Sequence, residues 1–266
     1  MKKSRQNSFR QQRFTHFGWP LNHLPERVAA VREDKIMNMR ATDTSYPIRA
    51  LRYWWVSSAV AAEVKKKNTE TIIADIGCST GHSKRFIGEL PDTKWIGLDW
   101  KIEEPMLKEI GYSARHECDF DQKLPLPDSS VDVVIFSHVI EHLPRPDFTI
   151  NEIARILRPG GLLIAGSPVA PNFVAKWRDA HHRKNYEAGS TMVGGHINSF
   201  SSGRWKRLLT AADMGLEQIA GTFLIRWSGF YLENFSWWIR LNQLWGALFP
   251  SYGGEVYLTA RKNSSG

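Results

Sequence analysis

Apolar residues recur at helical spacing from Ile48 to Val64, at Ile48, Leu51, Trp55, Ala59 and Ala62, and Pro47 stands where such a helix would begin. Beyond it, short apolar runs alternate with longer amphipathic ones. That alternation predicts strand and helix taking turns, and hence a parallel sheet covered on both faces. Strands are expected at Thr71–Ile76, Lys94–Leu98, Ser113–Glu117, Val131–Phe136 and Leu162–Ala165. Between them, helices are expected at Ser83–Leu90, Glu103–Ile110 and Phe148–Leu157, the last stopped by Pro159-Gly160-Gly161.

The flanks are less regular. Residues 1–45 are polar and weakly periodic, with aromatics at Phe9, Phe14, Phe17 and Trp19, and read as an irregular arm that packs only in part. Residues 168–198 lose the alternation and carry Arg178, His181, His182, Arg183, Lys184 and His196, as a long insertion after the fifth strand would. A helix at Ser202–Ala212, a strand near Leu216–Leu224, an aromatic helical stretch to Leu248 and a strand at Glu255–Ala260 complete the chain. In the aromatic stretch, Phe230, Trp237, Leu241, Leu244 and Leu248 share one helical face, widened by Trp238 and Trp245. Charges at Arg226, Glu233 and Arg240 argue against a membrane span. Two readings stay open for it: a core or dimer helix, and a lid or membrane-surface element for a lipid or lipid-linked glycan.

At 266 residues the chain suits one large α/β domain. Its two cysteines, Cys78 and Cys118, can assemble neither a disulfide framework nor a four-ligand zinc site, which fits a reducing, cytoplasmic setting. The basic N-terminus is not followed by the apolar run of a secretory signal. A formal charge of +8 is compatible with an anionic partner, be it nucleic acid, a membrane surface or a phosphorylated substrate, and equally with solubility alone.

The candidate chemistry begins at Ile72-Ile-Ala-Asp-Ile-Gly-Cys-Ser-Thr-Gly-His-Ser, a strand running through a glycine-bearing turn into a helix. The dinucleotide pattern G-x-G-x-x-G fails at Ser79 and His82. Gly77-Cys78-Ser79-Thr80-Gly81 spells the hydrolase elbow G-x-S-x-G, but only an arm and one helix precede it, where a hydrolase carries several strands and an oxyanion loop.

Asp75-Ile-Gly-Cys-Ser-Thr-Gly instead resembles motif I of the class I S-adenosylmethionine-dependent methyltransferases, with Ser79 in place of the commoner middle glycine. The resemblance continues through Trp95-Ile-Gly-Leu-Asp-Trp, through Cys118-Asp-Phe-Asp, and through Leu124 to Leu143. It ends with Arg155-Ile-Leu-Arg-Pro-Gly-Gly-Leu-Leu, so that it runs from about Thr71 to Pro168 and is similar to the methyltransferase type 11 group. It implies a Rossmann-like α/β fold, a mostly parallel seven-stranded sheet with helices on both faces, and S-adenosyl-L-methionine as cofactor. Its implied binding residues are Asp75, Gly77, Ser79 and Gly81 in the turn, Asp99 for the ribose hydroxyls, and Trp100 against adenine. Asp119 and Phe120 would meet the adenine amino group, and Ser137 would close the set. A carboxylate at Asp99 suits a vicinal diol because it offers two acceptor oxygens.

Methyl transfer from a sulfonium needs alignment before it needs a base. Where the acceptor is a hydroxyl or a protonated amine, candidate bases are His138, first by its place at the end of the fourth strand, then Glu141, His142 and His196. Glu141 and His142 read equally well as helix-capping residues. His181 and His182 are adjacent and cannot share a helical face, and no metal site is expected. Ser137-His-Val-Ile lacks the Asn/Asp-Pro-Pro-aromatic turn of base-amine methylation, and neither cysteine is placed for cytosine chemistry, so nucleic acid ranks below a small-molecule, glycan or lipid-linked acceptor methylated at oxygen or nitrogen. Residues 46–266 are expected to form the methyltransferase domain, with 168–200 and 226–250 on the acceptor side. Peripheral contact with the inner face of a membrane is expected through 226–250. A non-catalytic membrane- or RNA-binding protein on the same fold is the alternative.

Overall fold

Alternate residues along the central strands face opposite ways, and both sets are apolar, so the sheet needs cover on two sides. The computed structural model describes residues 21–34, 36–37, 44–47, 50–187, 195–224 and 229–264, the side chains of 22 and 182–187 excepted. The strands are β1 (Thr71–Ile76), β2 (Thr93–Asp99), β3 (Ala114–Glu117), β4 (Val131–Ser137), β5 (Leu157–Pro168), β6 (Met214–Thr222) and β7 (Glu255–Lys262). They form one seven-stranded sheet in the order β3-β2-β1-β4-β5-β7-β6. The first five run parallel, and β7 lies antiparallel between β5 and β6. The strand order reverses between β1 and β4, and ligands of open α/β sheets settle beyond the strand ends at such a reversal.

A short 3-10 turn at Leu21–His23 leads into α1 (Leu24–Arg32); then come α2 (Ala50–Val64), α3 (His82–Ile87), α4 (Glu104–Glu109), α5 (Pro146–Ile156), α6 (Asn172–Glu187), α7 (Ser202–Ala211) and α8 (Ser236–Leu248). One face of the sheet, with Ala74, Val134, Phe136 and Leu163, packs on Ile150 and Ile153 of α5 and Trp205 and Leu209 of α7. The other, with Ile73, Val133, Ile135 and Ile164, packs on Trp55, Val56 and Val60 of α2 and Leu107 of α4. A third cluster joins Leu24, Val28 and Val31 of α1 to Leu51, Trp54, Phe86 and the Trp238-Ile239 pair of α8.

Several elements depart from the sequence expectation. Residues 21–32, placed in the irregular arm, are helical, because three apolar residues at spacings of four and three bury on α2 and α3. Arg27 adds bonds to the carbonyls of Arg85 and Phe86 at the end of α3. The four aromatics assigned to the arm lie outside the described residues. The supposed irregular insertion carries the sixteen-residue helix α6. β5 opens at Leu157 with no loop, so Pro159-Gly160-Gly161 lies within the strand; there Gly160 adopts φ 75° and the pairing with β4 shifts between Val131 and Val133. The β6 strand ends at Thr222, two residues before the expected Leu224.

The aromatic helix α8 also presents itself differently. Trp238 and Ile239 are buried, and Phe230 meets the Trp238 ring edge-on at 5.8 Å, so both Phe230 and Trp238 belong to the inward side. The outward stripe is Trp237, Leu241, Leu244 and Leu248. Gly246 fixes this orientation: a Cβ there would stand 1.6 Å from the Gly221 carbonyl oxygen, so helix and β6 touch backbone to backbone. Gly246→Ala is therefore expected to push α8 off the sheet, at a cost of about 3 kcal/mol and a melting-temperature drop on the order of 5–10 °C, read by thermal denaturation.

Candidate active site

β1 leaves the sheet through Gly77 (φ 77°), Ser79 (φ 48°) and Gly81 (φ 79°), three left-handed positions within five residues. The amides of Gly77 and Cys78 both donate to the Leu98 carbonyl, at 2.8 and 3.2 Å, and the Gly81 amide donates back to Cys78 at 2.7 Å. A Cβ on Gly77 would lie 2.2 Å from Val139 Cγ2, so glycine lets this turn press against the segment leaving β4. Ser79 pays for its left-handed backbone with about 1 kcal/mol of strain. Its amide recovers a charge-assisted bond by donating to Asp99 Oδ2 at 2.7 Å.

Asp99 ends β2 and is buried. Burial raises its carboxyl above the ordinary range, against the pull of the Ser79, Lys101 and Trp100 amides. Asp75, in register with Gly97 on β2, is buried more deeply and accepts a 2.6 Å hydrogen bond from the Tyr112 hydroxyl. Burial pushes the Asp75 carboxyl up to about 7, the Tyr112 bond lowers it and the Asp99 charge raises it further. Trp100 is 67% exposed beside them. The Cys118 amide donates to the Asp99 carbonyl at 2.8 Å and so brings the next segment alongside. There Asp119 is exposed and accepts from the Asp121 amide at 2.9 Å, whereas the Phe120 ring sits in the main core. The residues expected to hold the cofactor thus gather at the exits of β1, β2, β3 and β4. Tyr112 was not foreseen, since a lone tyrosine before β3 has no motif to mark it.

On the other side of β1, Ser137 ends β4 opposite Gly166, and His138 follows with φ 58° and its amide bonded to the Gly166 carbonyl at 2.8 Å. Its Nδ1 stands 3.3 Å from Glu141 Oε1, and its Nε2 stands 3.3 Å from Glu255 Oε2 without the alignment of a good hydrogen bond. Glu255 also accepts from Arg52 Nη2 at 2.6 Å and from the Tyr257 hydroxyl at 2.9 Å. Burial alone would raise its carboxyl, but His138 and Arg52 together hold it well below the usual carboxylate range. Arg52 and Glu255 were not expected at the site, because partners 203 residues apart leave no local pattern.

Glu141 and His142 form a 3-10 turn, Ile140–His142, rather than the start of a longer helix. The Glu141 carbonyl accepts from Ile197 and Asn198 at 2.9 and 3.0 Å, which draws His196 in from the far side of α6. The rings of His142 and His196 meet at 5.0 Å and 68°. Burial lowers the His196 ring pKa, opposed by Glu141 and aided by Arg178. All four candidate bases therefore come together. His181 is elsewhere, stacked on Trp177 at 6.2 Å, and the side chain of His182 lies outside the described residues.

Residues 74–165 match the family model described as "Methyltransferase domain". Among curated proteins, a "Probable S-adenosylmethionine-dependent methyltransferase" of Mycolicibacterium smegmatis is 35% identical over 36% of this chain and 37% of its own length. The malonyl-[acyl-carrier protein] O-methyltransferase of Alcanivorax borkumensis is 27% identical over 48% of this chain and 47% of its own. The chain thus spans less than half the length of these curated relatives. A solved S-adenosylmethionine-dependent methyltransferase from Mesorhizobium loti superposes with a TM-score of 0.54 at 18% identity, over 79% of this chain and 97% of that one, which shows the shared fold.

Asp75 offers a test by pH. The folded protein keeps its proton up to about 7, whereas an unfolded aspartate loses it near 4, so between those values the folded state binds more protons and stability falls as pH rises. Asp75→Asn should therefore raise the melting temperature at pH 8, with a gain that shrinks towards zero at pH 4; calorimetry at both pH values checks the sign.

Proposed function

We propose that this chain, whose residues 74–165 match the methyltransferase-domain family model, is an enzyme that moves the methyl group of S-adenosyl-L-methionine to a small-molecule, glycan or lipid-linked acceptor at oxygen or nitrogen. The observation that carries the reading is the pair of buried carboxylates, Asp75 and Asp99, at the exits of neighbouring strands around a left-handed glycine turn. The residues fit the cofactor chemically: Asp75 suits its ammonium, Asp99 its ribose diol, Trp100 and Asp119 its adenine, and the Gly77 to Gly81 backbone allows close approach. Phe120 contributes its backbone position, since its ring is taken up by the core, and Ser137 borders the methyl side. When bound, the cofactor supplies a methyl already activated on sulfur, so the protein's part is to orient the acceptor and exclude water.

His138 is a positioning residue in this reading. Both of its ring nitrogens face buried carboxylates, which leaves His142 and His196 as the imidazoles nearer the acceptor. Residues 46–266 then make up the catalytic domain, with 168–200 and 226–250 on the acceptor side. A lipid-linked acceptor is supported by the exposed stripe Trp237, Leu241, Leu244 and Leu248, and by Phe173 and Trp177 on α6, each 71% exposed. Such an apolar strip, on a chain of formal charge +8, suits peripheral contact with an anionic membrane. Among the described residues no helix is long and apolar enough to cross one. The Alcanivorax relative is named a malonyl-[acyl-carrier protein] O-methyltransferase, which favours oxygen.

Titration calorimetry with S-adenosyl-L-methionine should show one site, weakened at least about a hundred-fold by Asp99→Ala, because two hydrogen bonds to a charged group are lost. A wild-type protein that does not bind the cofactor rejects the proposal. Separately, vesicles containing anionic lipid should co-sediment the protein, and Trp237→Ser with Leu241→Ser should release it. Equal sedimentation of the double variant would reject the membrane contact and leave the transferase reading standing.

A further inference from the structure

The four candidate bases include a smaller group with different chemistry. Glu141, His142 and His196 each offer a ligand atom, and these atoms lie within 4.8 Å of one another. The Glu141 side chain is 2% exposed; Oε1 faces His138, and Oε2 has no hydrogen-bond partner among the described residues. A carboxylate oxygen so buried is costly unless a cation or donor meets it. His142 Nδ1 lies 3.0 Å from the Gly195 carbonyl oxygen. A carbonyl can only accept, so Nδ1 carries a proton, and the neutral ring then has its lone pair on Nε2. That is how ligating histidines are held elsewhere, by a backbone acceptor on the second nitrogen. His196 is held against this turn by the bonds from Ile197 and Asn198 to the Glu141 carbonyl and from Asn198 Nδ2 to the Leu143 carbonyl at 2.6 Å.

We infer that Glu141, His142 and His196 bind a divalent transition-metal ion, with zinc as its representative. Two imidazoles and one carboxylate are a borderline-soft set, where magnesium or calcium would call for oxygen ligands throughout. Three protein ligands leave a fourth position open. With metal–ligand distances of about 2.1 Å, tetrahedral ligands stand about 3.4 Å apart, so side-chain rotations of about an ångström close the set. The site also has the right neighbour: Val139, two residues before Glu141, is the side chain that presses on Gly77 in the cofactor turn. A metal held there would stand beside the cofactor turn, where it could bind an acceptor oxygen. This last role rests on the methyltransferase reading; the binding of zinc does not.

The test uses the full chain after removal of metal by a chelator. Titration with zinc chloride should give one ion per chain, and His142→Ala and His196→Ala should each weaken it at least about a hundred-fold. His23→Ala, at an exposed histidine beside Glu26 and outside the three-residue cluster, should leave it unchanged. Cobalt in the unmutated protein should give the intense visible bands of a low-coordinate nitrogen and oxygen site, which reports the ligands even where a variant folds poorly. Absence of stoichiometric zinc binding, retention of it by folded His142→Ala and His196→Ala, or a cobalt spectrum like that of the aqueous ion overturns the inference. Parallel titration with S-adenosyl-L-methionine separates the two claims: cofactor without zinc defeats the metal site alone, and zinc without cofactor defeats the transferase alone.

Discussion

Glu255 carries a negative charge into the floor of the site, and that burial is tolerated only because three parts of the chain meet it. Arg52 comes from α2, His138 from the exit of β4 and Tyr257 from two residues along β7. Glu255 stands opposite Pro168 on β5 and Thr222 on β6, so its position is set by the pairing of the whole antiparallel edge. The left-handed backbone of His138 is held between this carboxylate and the Gly166 carbonyl. From that residue the 3-10 turn of Glu141 and His142 takes its direction. The His138, Glu141 and His142 side of the site is thus built outward from one buried ion pair.

The cofactor side rests on a different constraint. Gly77 would be required there without any ligand, since both its φ and the nearness of Val139 exclude a side chain. The glycine turn alone is therefore a feature of packing as much as of binding. Asp75 has no such packing explanation: burial pushes its carboxyl up to about 7, so at neutral pH it costs the fold stability. A group that costs stability where an apolar residue would pack better is expected where a ligand of opposite charge relieves it. Ser79 has a comparable logic: its strained backbone aims an amide at Asp99 and ties the two carboxylates to one turn.

The helix α8 connects these sites to the surface. Its inner side approaches β6 so closely that Gly246 has no room for a methyl group, and its outer side is left apolar. The order β5-β7-β6 follows from the same arrangement, since the chain must cross back over β6 through α8 before β7 can enter between its neighbours.

Local pattern was enough for much of this. The alternation of strand and helix, the turn from Asp75 to Gly81 and the acid at Asp99 were legible because each depends on residues within a few positions of one another. The same holds for the amphipathic helix that became α8. Boundaries moved, as at Pro159-Gly160-Gly161, which lies inside β5 in the stretch where the pairing with β4 shifts between Val131 and Val133. The packing of α1, the hydroxyl of Tyr112 on Asp75, the meeting of Arg52 with Glu255, and the pairing of His142 with His196 across α6 were decided by the tertiary structure. Each joins groups that no short-range period relates, and a charge or a lone pair has meaning for chemistry only once the fold has chosen what stands opposite it.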